Sequence, residues 1–88
     1  MMKIKAGYLL REVAGIAVVV PIMADAANQN MLKLNETGKL LWEKLIPGAE
    51  KAELLSALMA EYEVTAERAE ADVAAFLGQL SAFGALED

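Results

Sequence analysis

The chain has 88 residues, of which 57% are hydrophobic, so it can bury one modest core and has no length left for a separate catalytic domain. It contains neither Cys nor His, which removes disulfides, thiolate metal ligands and the commonest general base. Eight basic and thirteen acidic residues give a formal net charge of -5, which repels nucleic-acid phosphates and anionic lipids. We therefore expect one domain, residues 1–88, with neutral or basic partners and without a catalytic centre, a cofactor or a metal.

An N-terminal secretion signal is an alternative to consider first, because three basic residues precede an apolar run at residues 15–23. Pro21 interrupts that run, and its β-branched Val and Ile residues favour a buried strand over a signal helix. The run is also far shorter than the roughly 20 apolar residues of a membrane span. We expect a cytoplasmic protein that does not bind membranes.

The first strands form a predicted hairpin. Residues 8–13 and 16–20 have the composition of two strands that flank Gly15, and Pro21 ends the second strand because it cannot donate a backbone hydrogen bond. The following residues, 24–29, contain the Asp, Asn and Gln typical of a turn.

A third strand is predicted over residues 30–34. Leu32 and Leu34 fall on one face, and Met31 and Lys33 fall on the other. This alternation is typical of a strand with one buried face and one face at least partly in water.

Three helices follow, each with recognisable end signals. The first begins after the N-cap Asn35 and ends at Pro47, the second covers residues 50–62, and the third begins after the N-cap Thr65 and ends at Gly84. The apolar stripes of the first two helices are expected to contain Leu41, Trp42, Leu45, Ile46, Leu54, Leu55, Leu58, Met59 and Tyr62.

The third helix has two different faces at about 100° per residue. One face gathers the larger apolar residues Val73, Phe76, Leu77, Leu80 and Phe83 together with Ala69. The other gathers small residues, namely Ala71, Ala74, Ala75, Gly78 and Ala82. Alanine is a strong helix former and could simply fill an exposed face, but an exposed mid-helix Gly costs about 1 kcal/mol relative to Ala. The small face therefore suggests close approach of another backbone, flanked by Arg68, Asp72 and Gln79.

Strands followed by helices predict an α+β fold in which a three-stranded antiparallel sheet precedes three α-helices, as in a winged helix-turn-helix. DNA binding would need a basic recognition helix. The third helix instead carries Glu67, Glu70 and Asp72 against the single Arg68 near its start. An enzyme is also disfavoured, because the sequence has no glycine-rich phosphate loop and no nucleophile beside a base.

The order and spacing of three motifs resemble the PqqD family. The motifs are Leu-Asn-Glu-Thr-Gly at residues 34–38, the aromatic Trp42 after it, and Asp-Val-x-x-Phe-Leu-x-x-Leu at residues 72–80. This resemblance, which covers almost the whole chain, implies a RiPP recognition element. Such a module binds the leader segment of a ribosomally made precursor peptide and presents it to a modifying enzyme, which in pyrroloquinoline quinone (PQQ) synthesis is a radical SAM protein.

The resemblance also implies where the leader binds: as an added strand on the edge of the third strand, in a groove against the third helix. Carried onto this sequence, the leader-binding residues are Asn30, Met31, Leu32, Lys33, Leu34, Arg68, Ala71, Asp72, Ala75, Phe76 and Gln79. Leu32, Leu34 and Phe76 could equally be core residues that shape the groove. Asn35 is interpreted as a helix cap, so the 34–38 junction is expected to position the edge without forming the site. Residues 23–30 depart from the family pattern, which leaves the register of an added strand open.

A rival function uses the same edge differently. An exposed third strand could make a homodimer, or dock a modifying enzyme, without contacting any leader. The sequence does not identify the precursor, the modifying enzyme or the product.

Overall fold

The three strands of the main sheet come first along the chain and the three helices follow, as the sequence predicts. A computed structural model describes residues 1–22 and 31–87. Its elements in chain order are β1 (Lys3–Ile4), β2 (Tyr8–Val13), β3 (Ile16–Pro21), β4 (Leu32–Leu34), α1 (Glu36–Leu45), α2 (Lys51–Glu61), α3 (Ala66–Phe83) and β5 (Leu86–Glu87). The predicted α+β fold, a three-stranded antiparallel sheet followed by three helices, is confirmed.

The main sheet has the antiparallel order β2-β3-β4, so β3 is central and β2 and β4 lie at its two edges. A two-residue loop joins β2 to β3, and both of its residues, Ala14 and Gly15, have positive φ angles of 54° and 82°. Two positive φ angles are the mark of a type I′ turn, whose twist matches that of the strands it joins.

One hydrogen bond shows which residue pairs of the main sheet are hydrogen-bonded, and hence which way the backbone N–H and C=O groups of each strand residue point. The Ile22 N–H donates to the Gly7 carbonyl at 2.7 Å, so this pair is hydrogen-bonded and Tyr8↔Pro21, the next pair, is not. Alternation then directs the N–H and C=O groups of Ala17 and Val19 toward β4, where they face Leu34 and Leu32. The backbone groups of Lys33, between those two partners, point away from β3 toward the open edge of β4.

The helix ends match their predicted signals. Asn35 caps α1 and Thr65 caps α3, each by accepting a hydrogen bond from a backbone N–H in the first turn. Gly84 follows α3 in the left-handed conformation, with φ 91°, and its N–H returns to the Leu80 and Ser81 carbonyls. The start of α2 is held by a capping box between Glu50 and Glu53, which was not predicted.

The core lies between one face of the sheet and the three helices. The sheet contributes Ala17, Val19 and Leu34, and the helices contribute Leu41, Trp42, Leu45, Leu54, Leu58, Ala69, Val73, Phe76 and Leu80. Val18, which points to the other face of β3, lies outside this cluster. The helices therefore cover one face only, and the second face of the sheet remains outside the core.

Two features differ from the sequence-based expectations. β1 and β5, neither of which was predicted, form a second, two-stranded antiparallel sheet that brings residues 3–4 to residues 86–87. Ile46 and Met59, both expected in apolar stripes, are 60% and 47% exposed. Ile46 is the C-cap residue of α1 and keeps helical angles, φ -56° and ψ -51°, so it lies one turn beyond the exposed Glu43 and points away from the core.

Candidate functional site

A groove of about 440 Å³ lies beside β4, between the start of α1 and the middle of α3. Two segments line it. The strand-to-helix segment contributes Lys33, Leu34, Asn35, Thr37, Gly38 and Leu41, and α3 contributes Asp72, Ala75, Phe76 and Gln79.

The floor of this groove is apolar and rigidly packed. Leu34, Leu41 and Phe76 all line it, and all three are buried members of the main core. Their side chains are held by the sheet and the helices, so the floor needs no rearrangement to exist. Of the two readings for Leu34 and Phe76, the structure therefore supports core residues whose surfaces shape the groove.

The Asn35 side chain fixes the wall nearest to β4. Its Oδ1 accepts hydrogen bonds from the Gly38 N–H at 2.8 Å and from the Thr37 hydroxyl at 2.9 Å. A Cβ placed on Gly38 would lie 3.2 Å from this oxygen and 3.4 Å from the Leu34 Cβ. Glycine is therefore the residue that lets the cap and the last strand residue lie this close to the helix.

The opposite wall is the small-residue face of α3. Ala75 lines the groove, and Ala71, Ala74, Gly78 and Ala82 beside it are exposed. A Cβ built on Gly78 would meet no atom within 4 Å. Nothing in the described chain fills the space over this face, and a backbone could approach it closely.

The open edge of β4 borders the groove directly. Lys33 belongs to both, because it lines the groove and also directs its backbone N–H and C=O away from β3. By the same alternation the backbone groups of Met31, two residues earlier, point the same way. An unpaired strand edge beside an apolar groove combines backbone donors and acceptors with side-chain space.

The charges at the rim are mixed. On α3 the Arg68 Nε lies 3.4 Å from the Asp72 Oδ1, one helical turn away, and Arg68 is exposed to solvent. Lys33, on the strand side, is exposed and makes no ion pair within residues 1–22 and 31–87. Because Lys33 alternates with Leu32 and Leu34, its side-chain charge lies on the other face of β4, beside the open edge.

Most of the predicted site residues meet here. Lys33, Leu34, Asp72, Ala75, Phe76 and Gln79 line the groove. Met31 and Leu32 lie along the edge strand, while Arg68 and Ala71 lie on α3 outside the groove lining. Asn30 falls outside the described residues.

Four lining residues were not predicted as part of the site: Asn35, Thr37, Gly38 and Leu41. The predicted capping role of Asn35 is confirmed. Because Asn35 was interpreted only as a cap, its place in the groove wall was not predicted. The expectation that the 34–38 junction positions the edge without contributing to the site therefore does not fit this geometry. Asn35 is a helix N-cap that immediately follows the edge strand β4, and this adjacency is the sequence signal that could have placed it in the groove wall.

Neither a metal-binding cluster nor a membrane-spanning helix is found in residues 1–22 and 31–87. No group of three or more acidic side chains among them is arranged to hold a metal ion. None of the helices in residues 1–22 and 31–87 is long and apolar enough to cross a membrane.

One family model and two solved structures are similar to this chain. The family model for coenzyme PQQ synthesis protein D (PqqD) matches residues 22–86. No curated protein sequence matches the chain. The solved structure of TbiB1 in complex with the TbiA(beta) leader peptide is similar to this chain with a TM-score of 0.78 and 25% sequence identity, over 97% of this chain and 94% of that one. Lasso peptide synthetase B1 complexed with the leader peptide gives a TM-score of 0.79 at 23% identity, over 99% and 98% of the two chains.

Proposed function

The chain belongs to the PqqD family, and from this premise we propose that it is a peptide-binding adaptor. It binds the leader segment of a ribosomally synthesised precursor peptide and presents that precursor to a modifying enzyme. The proposal draws support from TbiB1, a structural relative that was solved with a leader peptide. The adaptor performs no catalysis of its own and acts in the cytoplasm, where precursor peptides are made.

The single observation that carries the proposal is the contact between the open edge of β4 and the groove. An extended peptide can add to an exposed strand through backbone hydrogen bonds, which provide affinity, while pockets for alternate side chains provide specificity. Lys33 offers the outward N–H and C=O groups, and the space in front of Leu34 and Phe76 offers the pocket.

The directions of the backbone groups fix how an added strand would present its side chains. Residues opposite one another on paired strands share a face. Leader residues across from Leu32 and Leu34 therefore point into the groove, where apolar side chains suit the floor. A residue across from Lys33 lies on the other face of the sheet, beside an unpaired ammonium group that an acidic side chain complements.

The modifying enzyme is proposed to be a radical SAM protein, as the family resemblance implies. The geometry of the groove does not depend on this choice, because the groove contacts the leader and not the enzyme. The proposed adaptor is compatible with PQQ synthesis and with other peptide-maturation pathways.

Homodimerisation through the β4 edge is the second candidate function. An unpaired edge strand is a template for any other strand, including β4 of a second copy. A dimer of this type would occupy the edge and compete with the leader. Sedimentation at several protein concentrations separates the two, because leader binding needs a monomer with a free edge.

Isothermal titration with the synthetic leader of the precursor encoded beside this gene tests the proposed function. We expect saturable binding at one site and none with a scrambled leader of equal composition. An Ala75→Trp variant places a large ring in the groove from an exposed helical position, so it should abolish binding and leave the fold intact. Ala82→Trp, on the same exposed face but outside the groove lining, is the matched control. Equal affinity for the leader and its scrambled form would contradict the proposal.

A further inference from the structure

The main sheet has a second open edge, at β2, and this edge borders a pocket of its own. β2 pairs only with β3 within the described chain, whereas β1 pairs with β5. At six residues β2 is twice as long as β4. A long unpaired edge strand is a feature that natural proteins usually cover or blunt.

The same Ile22–Gly7 hydrogen bond also shows which backbone groups of β2 point away from β3. The bonded pair Gly7 and Ile22 is followed by the bonded pairs Leu9↔Val20 and Arg11↔Val18. The N–H and C=O groups of Tyr8 and Leu10 therefore point away from β3. The backbone N–H and C=O groups of Tyr8 and Leu10 have no hydrogen-bond partner in a turn, loop or other strand within residues 1–22 and 31–87.

The adjoining pocket has a volume of about 350 Å³ and is mainly apolar. It is lined by Ile4, Lys5, Ala6, Tyr8, Leu9, Leu10, Trp42 and Ile46. Trp42 is a buried core residue. Ile46, on the helix side of this edge, is 60% exposed, and Leu9 is 47% exposed on the other face of β2, so the edge has an exposed apolar side chain on each side.

The charge around this edge differs from that of the protein as a whole. The net charge of the chain is -5, yet Lys5 lines the pocket and Arg11 lies on β2 two residues beyond Leu9. Neither cation makes an ion pair with any described residue. A partner with carboxylates at these positions would neutralise both charges.

We propose that the β2 edge is a second strand-docking site, which binds a β-strand of another protein while β4 holds the leader. The partner strand would bond to the Tyr8 and Leu10 backbone, insert an apolar side chain into the pocket beside Leu10 and Ile46, and place a carboxylate near Lys5 or Arg11. The two edges are separated by two strand spacings, about 10 Å, so leader and partner would lie side by side on one sheet. This inference goes beyond leader binding and depends on the proposed function only for the choice of the partner protein used below.

A second copy of the chain fits this edge poorly. Two copies could pair through their β2 strands in an antiparallel, two-fold symmetric arrangement. In the two registers that pair the most residues, the two Arg11 side chains lie either directly opposite or diagonally next to each other. The residues of β2 on that face are Leu9, Arg11 and Val13, none of which is acidic. Like charges across a strand pair are destabilising.

The test measures binding of the purified modifying enzyme encoded beside the precursor gene, by biolayer interferometry on the 88-residue chain. Ile46→Asp and Arg11→Glu change exposed side chains, so the fold should survive. We expect each to weaken enzyme binding at least tenfold, while the affinity for the leader peptide stays within twofold of wild type. Met59→Asp is the matched control, because it places the same charge at an exposed apolar position on α2, away from the edge.

Several outcomes would overturn the proposal. Enzyme binding that is absent in wild type, or unchanged in Ile46→Asp and Arg11→Glu, means that the β2 edge does not dock this enzyme. A wild-type dimer that dissociates in Ile46→Asp means that a second copy occupies the edge. The leader titration is independent of both, so normal leader binding beside a negative enzyme result would reject the β2 edge alone and leave the proposed adaptor function standing.

Discussion

Asn35 and Gly38 are coupled at the junction between β4 and α1. The Asn35 Oδ1 accepts a hydrogen bond from the Gly38 N–H at 2.8 Å, and a Cβ on residue 38 would lie 3.2 Å from that same oxygen. A side chain on residue 38 would therefore push against the capping oxygen, which would have to move by a few tenths of an ångström. Because both residues line the groove, this relationship also sets the shape of the proposed leader site.

A double-mutant cycle tests this coupling. Asn35→Ala removes the N-cap acceptor and should lower the free energy of unfolding by about 1 kcal/mol. Gly38→Ala, which in an unconstrained helix would stabilise by up to about 1 kcal/mol, should instead destabilise the protein because it crowds the cap. In the Asn35→Ala background the same Gly38→Ala change should become neutral or stabilising. Urea denaturation of the four proteins measures these values, and additive effects would show that the two residues act independently.

One residue of the β2–β3 turn, Ala14, has an unfavourable backbone conformation that a substitution can relieve. Ala14 adopts a φ of 54°, a left-handed conformation that costs an L-residue with a Cβ about 1 kcal/mol and that Asn tolerates well. Ala14→Asn should therefore raise the free energy of unfolding by about 0.5 kcal/mol. Thermal denaturation followed by circular dichroism measures the change. Ala14→Val, a β-branched residue at the same φ, should have the opposite effect, and a stabilised Val variant would exclude this explanation.

The ion pair between Glu12 on β2 and Lys39 on α1 predicts a dependence of stability on pH. Hydrogen bonding to Lys39 lowers the pKa of Glu12, and hydrogen bonding to Glu12 raises the pKa of Lys39. The Glu12 contribution is present above the unfolded-state pKa of its carboxyl group and is lost as the pH falls through the lower folded-state pKa. The Lys39 contribution is present below its unfolded-state pKa and is lost as the pH rises through the raised one.

Both side chains are solvent-exposed, so the effect should be small and should weaken in salt. Denaturation curves for wild type and Glu12→Gln should differ most at neutral pH and low ionic strength. The two curves should converge at acidic pH, where Glu12 is protonated, and also in 1 M salt. A difference that persists under both conditions would mean that the Gln substitution acts through something other than charge.

The open edge of β4 predicts a specific effect of proline. Met31→Pro removes an outward backbone N–H at an exposed position, so it should weaken leader binding by about 1 kcal/mol if that amide donates to the leader. Met31→Ala keeps the amide and removes the side chain, and it should bind almost as well as wild type. Calorimetric titration with the leader compares the two. Equal losses in both variants would assign the effect to the Met31 side chain instead of the backbone.

The sequence predicted the elements whose signals are local. The caps Asn35 and Thr65 and the terminator Gly84 each satisfy backbone groups within one helical turn, so their positions could be read without knowledge of the fold. The strands β1 and β5 could not be predicted, because two-residue strands have no period and exist only through each other.

The part of the groove that depends on local sequence patterns was predicted, and the part that depends on the folded arrangement was not. Its α3 residues fall on the helical face that the small-residue pattern identifies, and its strand residues follow the alternation around Lys33. The wall formed by Asn35, Thr37 and Gly38 was missed because it depends on how α1 leaves β4 in space. The directions of the edge amides likewise required the register of β3 against β4, which only the folded sheet supplies.

The most direct test of the proposed function is an amide NMR titration of the labelled protein with the leader peptide. Strand addition at β4 predicts that the largest shifts fall on Met31 and Lys33, whose amides point outward, and on the residues of α3 that line the groove. It also predicts that the Lys33 amide becomes protected from hydrogen exchange, while the Tyr8 and Leu10 amides on the opposite edge are unchanged. Saturating leader that leaves the Lys33 amide unshifted and unprotected would contradict strand addition at this edge.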